Sequence, residues 1–450
     1  MRTINIQQVI DDARFGSFHW KVLFWCFLII IFDVYDLVIY GVVLPILMKE
    51  WNLTPMEAGT LGSYALFGMM FGALIFGPLA DKIGRKKSII ICLVLFSVFT
   101  LVSTLAVEPF QFGLSRFIAG LGIGGLMPNA VALITEYAPK KMRSLLTTIM
   151  FSGYAVGGML SAGLGMLLLP SFGWQSVFYV GAIPLVLLPI ILKYLPDSLG
   201  FLVRSGKNEE ASKIVSKIDP NAIAANEKVT FETPEKVPGA SLVQLFKNKR
   251  GISTVMFWIA FFMCLLMVYG LNSWLPKLMN QAGYPLGSSL SFLLALNVGA
   301  MIGAIGGGWL GDKFHLRKVL IIFLSLAAIS LSLLGFKSNT FVLYLLIGMA
   351  GATTIGTQIL LYAYVAQFYP MDIRSTGIGW ASGVGRLGGM AGPILGGALL
   401  SMGLPFEANF MIFAIPGAIG ALAICFVSLK YAYVNKVTSQ VELQTEPKLG

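Results

Sequence analysis

Residues 22–48 read VLFWCFLIIIFDVYDLVIYGVVLPILM. The run holds no lysine or arginine and only two carboxylates, Asp33 and Asp36. It is far longer than the roughly 18 apolar residues that mark a membrane span. Nor does it read as a signal peptide. It is too long, carries charge in its middle and has no small-residue cleavage site, so the mature chain is expected to keep it.

Runs of the same kind recur to the end of the chain. The sequence predicts spans near 22–48, 58–80, 88–107, 110–136, 144–168, 174–195, 252–279, 288–310, 318–336, 340–366, 376–402 and 406–431. An isolated strand in lipid leaves backbone groups without partners, so every span is predicted to be a helix. The expected fold is an all-α polytopic membrane protein of twelve transmembrane helices. Composition agrees: of 450 residues, 56% are hydrophobic and 12% charged, about half the ~25% charge of a soluble domain.

The net charge of +11 would suit a nucleic-acid binder, but its placement does not. Of the 32 lysines and arginines, 27 fall on one side of the predicted spans; Lys49, Lys277 and Lys337 fall on the other. Leaving out the nine in the long central loop and Lys193 just before it, the asymmetry is still 17 to 3. Positive loops stay inside, so both termini are expected in the cytoplasm and the chain in the inner membrane. Cys26, Cys92, Cys264 and Cys425 stand singly within apolar runs, and His19 and His315 are the only histidines. No metal, other cofactor or structural disulfide is expected.

The polar stretch 196–251 divides the spans six and six. It predicts an N-terminal bundle over 1–195, a cytoplasmic linker over 196–251 and a C-terminal bundle over 252–450. Ser205–Ile218 reads as an amphipathic helix opening near Ser205, with Glu209 and Glu210 in its early turns. Pro234 and Pro238 mark a flexible tether. The halves echo each other. Gly77-Pro-Leu-Ala-Asp81-Lys-Ile-Gly84-Arg85-Lys86 follows the second span, and Gly308-Trp-Leu-Gly-Asp312-Lys313-Phe-His-Leu-Arg317-Lys318 follows the eighth. Many carriers are built from such repeats, with the substrate site between the halves near the bilayer midplane. Two G-x-G-x-x-G matches, Gly120–Gly125 and Gly383–Gly388, lie inside apolar helices, where small residues serve close packing rather than a nucleotide.

At these residues the chain resembles the major facilitator superfamily. The Gly77–Lys86 loop is that superfamily's most specific signature, and the second copy repeats it with His315 and Leu316 where glycine and arginine are expected. Arg116-Phe-Ile-Ala-Gly120 and Gly153-Tyr-Ala-Val-Gly157-Gly158 match two further superfamily motifs. Pro196-Asp-Ser-Leu-Gly-Phe-Leu-Val-Arg204-Ser-Gly206 looks like the motif after span six of sugar porters and aromatic-acid carriers. Asp33-Val-Tyr-Asp36-Leu-Val-Ile-Tyr-Gly41 is similar to the Asp-Gly-Tyr-Asp motif of the aromatic acid:proton symporters. Arg116, Glu136, Asn272-Ser-Trp274-Leu-Pro276 and Gly385-Arg386-Leu-Gly388 match the same family, and the opening segment looks most like its benzoate carriers. The pattern departs at Val34, where glycine is usual; its bulk is expected to narrow the space beside the aspartates.

Asp33 and Asp36 are three apart, so they share one helix face, with Tyr40 four further on. Asp33 lies about 16 Å into the span, close to mid-membrane. A carboxylate there costs ~2.5–3.5 kcal/mol on insertion scales, which favours proton coupling over a packing hydrogen bond or an ion pair with Arg116. Which aspartate carries the proton stays open. Arg116, and Arg386 about 15 Å into span eleven, are the other charges expected to be buried deep within spans. Each suits bidentate capture of an anionic substrate, or else a permanent partner for a span-one carboxylate; Arg386 favours the substrate, and Arg116 leaves both open. Tyr35, Tyr40, Asn272, Trp274, Tyr362 and Trp380 are candidates for an aromatic-ring pocket, although aromatics in spans more often pack or anchor. Glu136, at the inner end of span four, is expected to pair with nearby Arg143 and so to gate the inward face, a direct proton relay being the alternative. Gly77, Asp81, Gly84, Arg85, Asp312, Arg317 and Arg374 are assigned to conformational gating.

The expectation is proton-coupled uptake of an aromatic carboxylate by alternating access. A proton-driven exporter of the same superfamily is the alternative. No nucleophile with a base, no histidine cluster and no Walker loop supports an enzyme or an ATP-driven pump. The expected partners are the small aromatic acid, protons and the lipid bilayer, with the chain a monomer and no nucleic acid bound.

Overall fold

The computed structural model describes residues 2–219, 222–223, 229–231, 242–336 and 339–428; the Pro234–Pro238 tether lies outside them. Each expected span is a helix. In order they are Ser17–Glu50, Pro55–Ile83, Arg85–Ser103, Pro109–Tyr137, Arg143–Phe172, the broken pair Gln175–Gly181 and Ile183–Tyr194, Gly251–Gln281, Leu286–Lys313, Leu316–Leu334, Thr340–Phe368, Met371–Ser401 and Phe406–Phe426. Among the described residues, eleven helices are long and apolar enough to cross a membrane. The twelfth, Met371–Ser401, is diluted by Arg374, Arg386 and nine glycines.

Contacts divide the chain into two compact units, Met1–Ile46 with Tyr64–Lys236, and Leu47–Ser63 with Val237–Gly450. Within the first unit, glycines bring spans two, three and four together. A Cβ on Gly124 would lie 2.0 Å from the Met69 carbonyl, and one on Gly122 would lie 2.5 Å from the Cys92 carbonyl. The Gly120–Gly125 run is therefore a packing seam. The second unit repeats the device. Gly299 and Gly303 of span eight meet Gly348 and Ala352 of span ten, and Gly388 of span eleven meets Phe262 of span seven.

Span six breaks at Ala182, because Pro184 has no N–H to continue the backbone ladder. The polar segment after it corrects the linker reading. One short helix, Leu199–Arg204, is capped by Ser198; Gly206 at φ +72° then ends it, and a second helix opens at Asn208 rather than near Ser205. The bonds Gly206 N–H to Val203 O and Lys207 N–H to Leu202 O form a Schellman cap. Glu209 and Glu210 do occupy the first turn of the second helix.

Unforeseen is a short parallel ladder in which Arg2–Ile4 pairs with Val229–Phe231. Ile4, Ile6 and Ile10 are buried, as are Val215, Ile218 and Phe231 of the linker. The opening residues thus fold onto the linker instead of trailing from span one.

Candidate functional site

The carboxylate of Asp36 is enclosed within the first unit. Nη1 of Arg116, on span four, lies 2.8 Å from Oδ2 and donates to Oδ1 at 2.9 Å. Nη2 donates to the carbonyl of Asp36 itself at 2.8 Å. Thr100, on span three, donates its hydroxyl to Oδ1 at 2.7 Å. Neither charged side chain is more than 1% exposed. The guanidinium also lies 5.6 Å from the ring centre of Phe178 on span six, within cation–π range. Gly181 at the span-six break makes room: a Cβ there would lie 3.1 Å from the Thr100 methyl and 3.6 Å from Asp36 Oδ1. A buried ion pair survives only when such hydrogen bonds complete it.

Asp33 sits one turn along the same face and is 1% exposed. It lies within electrostatic reach of Cys92 on span three. Val34 packs against span five, its Cβ 3.1 Å from where a Cβ on Gly157 would stand. The tighter contact at Gly157 is with the Ile31 carbonyl, 2.4 Å from such a Cβ. Tyr35 donates its hydroxyl to the Val177 carbonyl at 2.8 Å, and the Tyr40 ring lies 6.3 Å from that of Phe112.

In the second unit, Tyr362 lies edge-on to Phe261 at 5.0 Å. Its hydroxyl is within hydrogen-bonding reach of Ser382 and in the field of half-buried Arg386. Gly385, next to that arginine, approaches Phe261 and Leu265 so closely that a Cβ would lie 2.4 Å from the Leu265 side chain. Trp274 is a packing residue by geometry: Nε1 donates to the Pro393 carbonyl at 2.8 Å, and Gly396 leaves space for the ring. Asn272 donates to the Val268 carbonyl at 2.8 Å. Trp380, 45% exposed, stacks on Trp258 with centres 6.0 Å apart.

Similarity to known proteins follows this architecture. The sequence profile of the Major Facilitator Superfamily matches residues 26–307 and 297–448. The chain belongs to the Major Facilitator Superfamily. Within it, the chain groups with aromatic-acid transporters. It is 48% identical to a benzoate transport protein of Acinetobacter baylyi, over 99% of this chain and 97% of that one. It is 40% identical to a gentisate transporter of Corynebacterium glutamicum, over 93% of this chain and 89% of that one. The fold matches the partially occluded inward-open xylose transporter XylE from E. coli, with a TM-score of 0.72 and 18% identity, over 92% of this chain and 98% of that one. This is a family of transporters, not of enzymes.

The superfamily loop Gly77–Lys86 takes its shape from a residue outside it. Gly84 has φ +96°, and a Cβ there would lie 2.7 and 2.8 Å from the two carboxylate oxygens of Asp197. That carboxylate accepts from the backbone N–H of Lys86 at 3.2 Å and of Ser198 at 2.8 Å. Span three begins at Arg85, so Asp197 acts as its N-cap from another segment. The Tyr137 hydroxyl donates to the Asp197 carbonyl. Glu136 accepts from Ser198 Oγ at 2.8 Å and Gly200 N–H at 2.9 Å, and faces Arg85 Nε at 3.5 Å. Arg143 pairs instead with Asp11 at 2.7 Å, which corrects the expected Glu136–Arg143 pair. In the second copy His315 has φ −60°, so the backbone there places no demand for glycine. Arg317 donates to the Cys425 carbonyl, Arg374 Nε lies 3.5 Å from the Tyr369 carbonyl, Gly77 has open space, and Asp81 is exposed. Asp312 lies in the last turn of span eight.

Proposed function

We propose that this transporter carries an aromatic carboxylate such as benzoate or a hydroxybenzoate into the cell together with a proton. It does so as a monomer by alternating access of two six-helix bundles, residues 1–195 and 252–450, joined by the 196–251 linker. The inner membrane holds it with both termini in the cytoplasm. The benzoate, gentisate and 4-hydroxybenzoate transporters among its relatives support the substrate class.

One observation carries the coupling assignment: two buried carboxylates share a face of span one, and Asp36 carries the Arg116 guanidinium on it. Asp36 has a permanent counter-charge, because arginine does not deprotonate in proteins. Asp33 is the carboxylate we assign to proton loading, with Arg386 as the fork that captures the substrate carboxylate.

Uptake of labelled benzoate into proteoliposomes tests the reading. Accumulation is expected only when an inward proton gradient is imposed; equal uptake without one would remove the coupling. Calorimetry on Arg386→Ala tests the substrate assignment. Benzoate binding should disappear, and unchanged affinity would make Arg386 a structural counter-ion.

A further inference from the structure

Gln358, on span ten, was not singled out by any sequence pattern. It is 6% exposed, and its Oε1 is buried without a hydrogen-bond partner. A buried acceptor left unmade is costly, so such atoms are usually satisfied by water or by ligand.

Its place follows from helical register. Thr354, Gln358 and Tyr362 recur every four residues and form one stripe of span ten. Thr354 turns this stripe toward span seven, since Cys264 Sγ donates to its carbonyl at 3.4 Å. At the other end of the stripe, the Tyr362 hydroxyl reaches Ser382 of span eleven. Spans ten and eleven run antiparallel, joined at Tyr369 and Pro370. Four residues back from Tyr362 and four forward from Ser382 both move about 6 Å away from that turn. Gln358 and Arg386 therefore stand level with each other, one turn beyond the Tyr362–Ser382 pair.

The two groups ask for opposite chemistry. A guanidinium only donates, which matches a carboxylate; the Gln358 amide can donate through Nε2, but its unpaired Oε1 only accepts. A plain carboxylate has no proton to offer it. A hydroxyl on the same aromatic ring does.

Resting on the assignment of Arg386 to the substrate carboxylate, we propose that Gln358 is a specificity residue. Its Oε1 accepts the O–H of a ring hydroxyl on the bound aromatic acid. Sites built to hydrogen-bond a substrate hydroxyl discriminate against analogues that lack it, because the buried group is then left unpaired.

Calorimetry on purified full-length protein tests this with benzoate and its 2-, 3- and 4-hydroxy derivatives. In Gln358→Met, whose side chain keeps the length and loses the acceptor, at least one hydroxylated ligand should bind about tenfold or more weakly, the scale of one hydrogen bond. Benzoate affinity should stay within about threefold. Gln358→Asn withdraws the acceptor but stays polar, so it should give the same selective loss should the methionine variant not fold. Equal losses for benzoate and every hydroxylated ligand, or no loss at all, would assign the amide to packing or a bound water and overturn the proposal. If wild-type protein binds none of the four acids, the aromatic-carboxylate reading itself fails and takes this inference with it.

Discussion

Arg116 and Asp36 are 80 residues apart in sequence and hold each other through Nη1, with Nη2 on the Asp36 backbone. The pair ties span four to span one inside the first unit and is sealed by Thr100. Removing one partner leaves an uncompensated buried charge, which typically costs about 3–5 kcal/mol. Arg116→Ala should therefore lower the thermal unfolding midpoint of the purified protein sharply. The neutral pair Arg116→Gln with Asp36→Asn should recover most of that loss, since amides hydrogen-bond without the charge. A single alanine variant as stable as the parent would show that the pair contributes no net stability.

Asp33 gives a different expectation from its neighbour. Asp33→Asn keeps the shape and loses only the titratable proton, so folded protein should be made in normal amount. Accumulation of benzoate against a gradient should be abolished, while downhill exchange of labelled for unlabelled benzoate persists. Normal accumulation by this variant in energised vesicles would move the proton to another carboxylate.

Much of this was legible in the sequence, for physical reasons that also set the limits. Long apolar runs must become helices in lipid, so every span was readable, with ends within about five residues of those observed. The two charged loops showed the internal repeat. Thr100 was not legible, because a threonine within a span most often bonds its own helix, as Thr353, Thr354 and Thr357 do here. Nothing local marks one that reaches a carboxylate on another span. Glu136 and Arg143 read as neighbours by spacing. However, Ala138 is extended ahead of Pro139, so the helix ends there, and Arg143 starts the next span facing Asp11. The cap supplied by Asp197 was hidden for the same reason: its partner lies 111 residues away.

Orientation can be read by labelling. Cys26, Cys92 and Cys264 are buried and Cys425 is exposed, so a Cys425→Ser background leaves little reaction. On that background Gln281→Cys should react with an impermeant thiol reagent applied outside intact cells. Glu209→Cys, exposed on the linker helix, should react only after permeabilisation. The reverse pattern would overturn the charge-based topology.

The Gly84–Asp197 contact separates two reasons for a loop glycine. One is backbone conformation: φ +96° is strained for any L side chain and costs of order 1–3 kcal/mol. The other is space, since a methyl would stand 2.7 Å from a carboxylate oxygen that caps span three. Asp197→Ala keeps the glycine, empties that space and leaves the first N–H groups of span three uncapped, a loss of about 0.5–2 kcal/mol. Gly84→Ala should be the more damaging, because it imposes the strain and displaces the cap together. If space dominates, Gly84→Ala combined with Asp197→Ala should be no worse than Gly84→Ala alone. If conformation dominates, the two losses should add, because each then acts through its own group. Unfolding midpoints of the three variants decide between them. His315→Gly, at the matching position with φ −60°, should stabilise nothing, because that backbone already suits an ordinary residue. A gain there would mean that the two copies of the loop share a strain that their dihedral angles do not show.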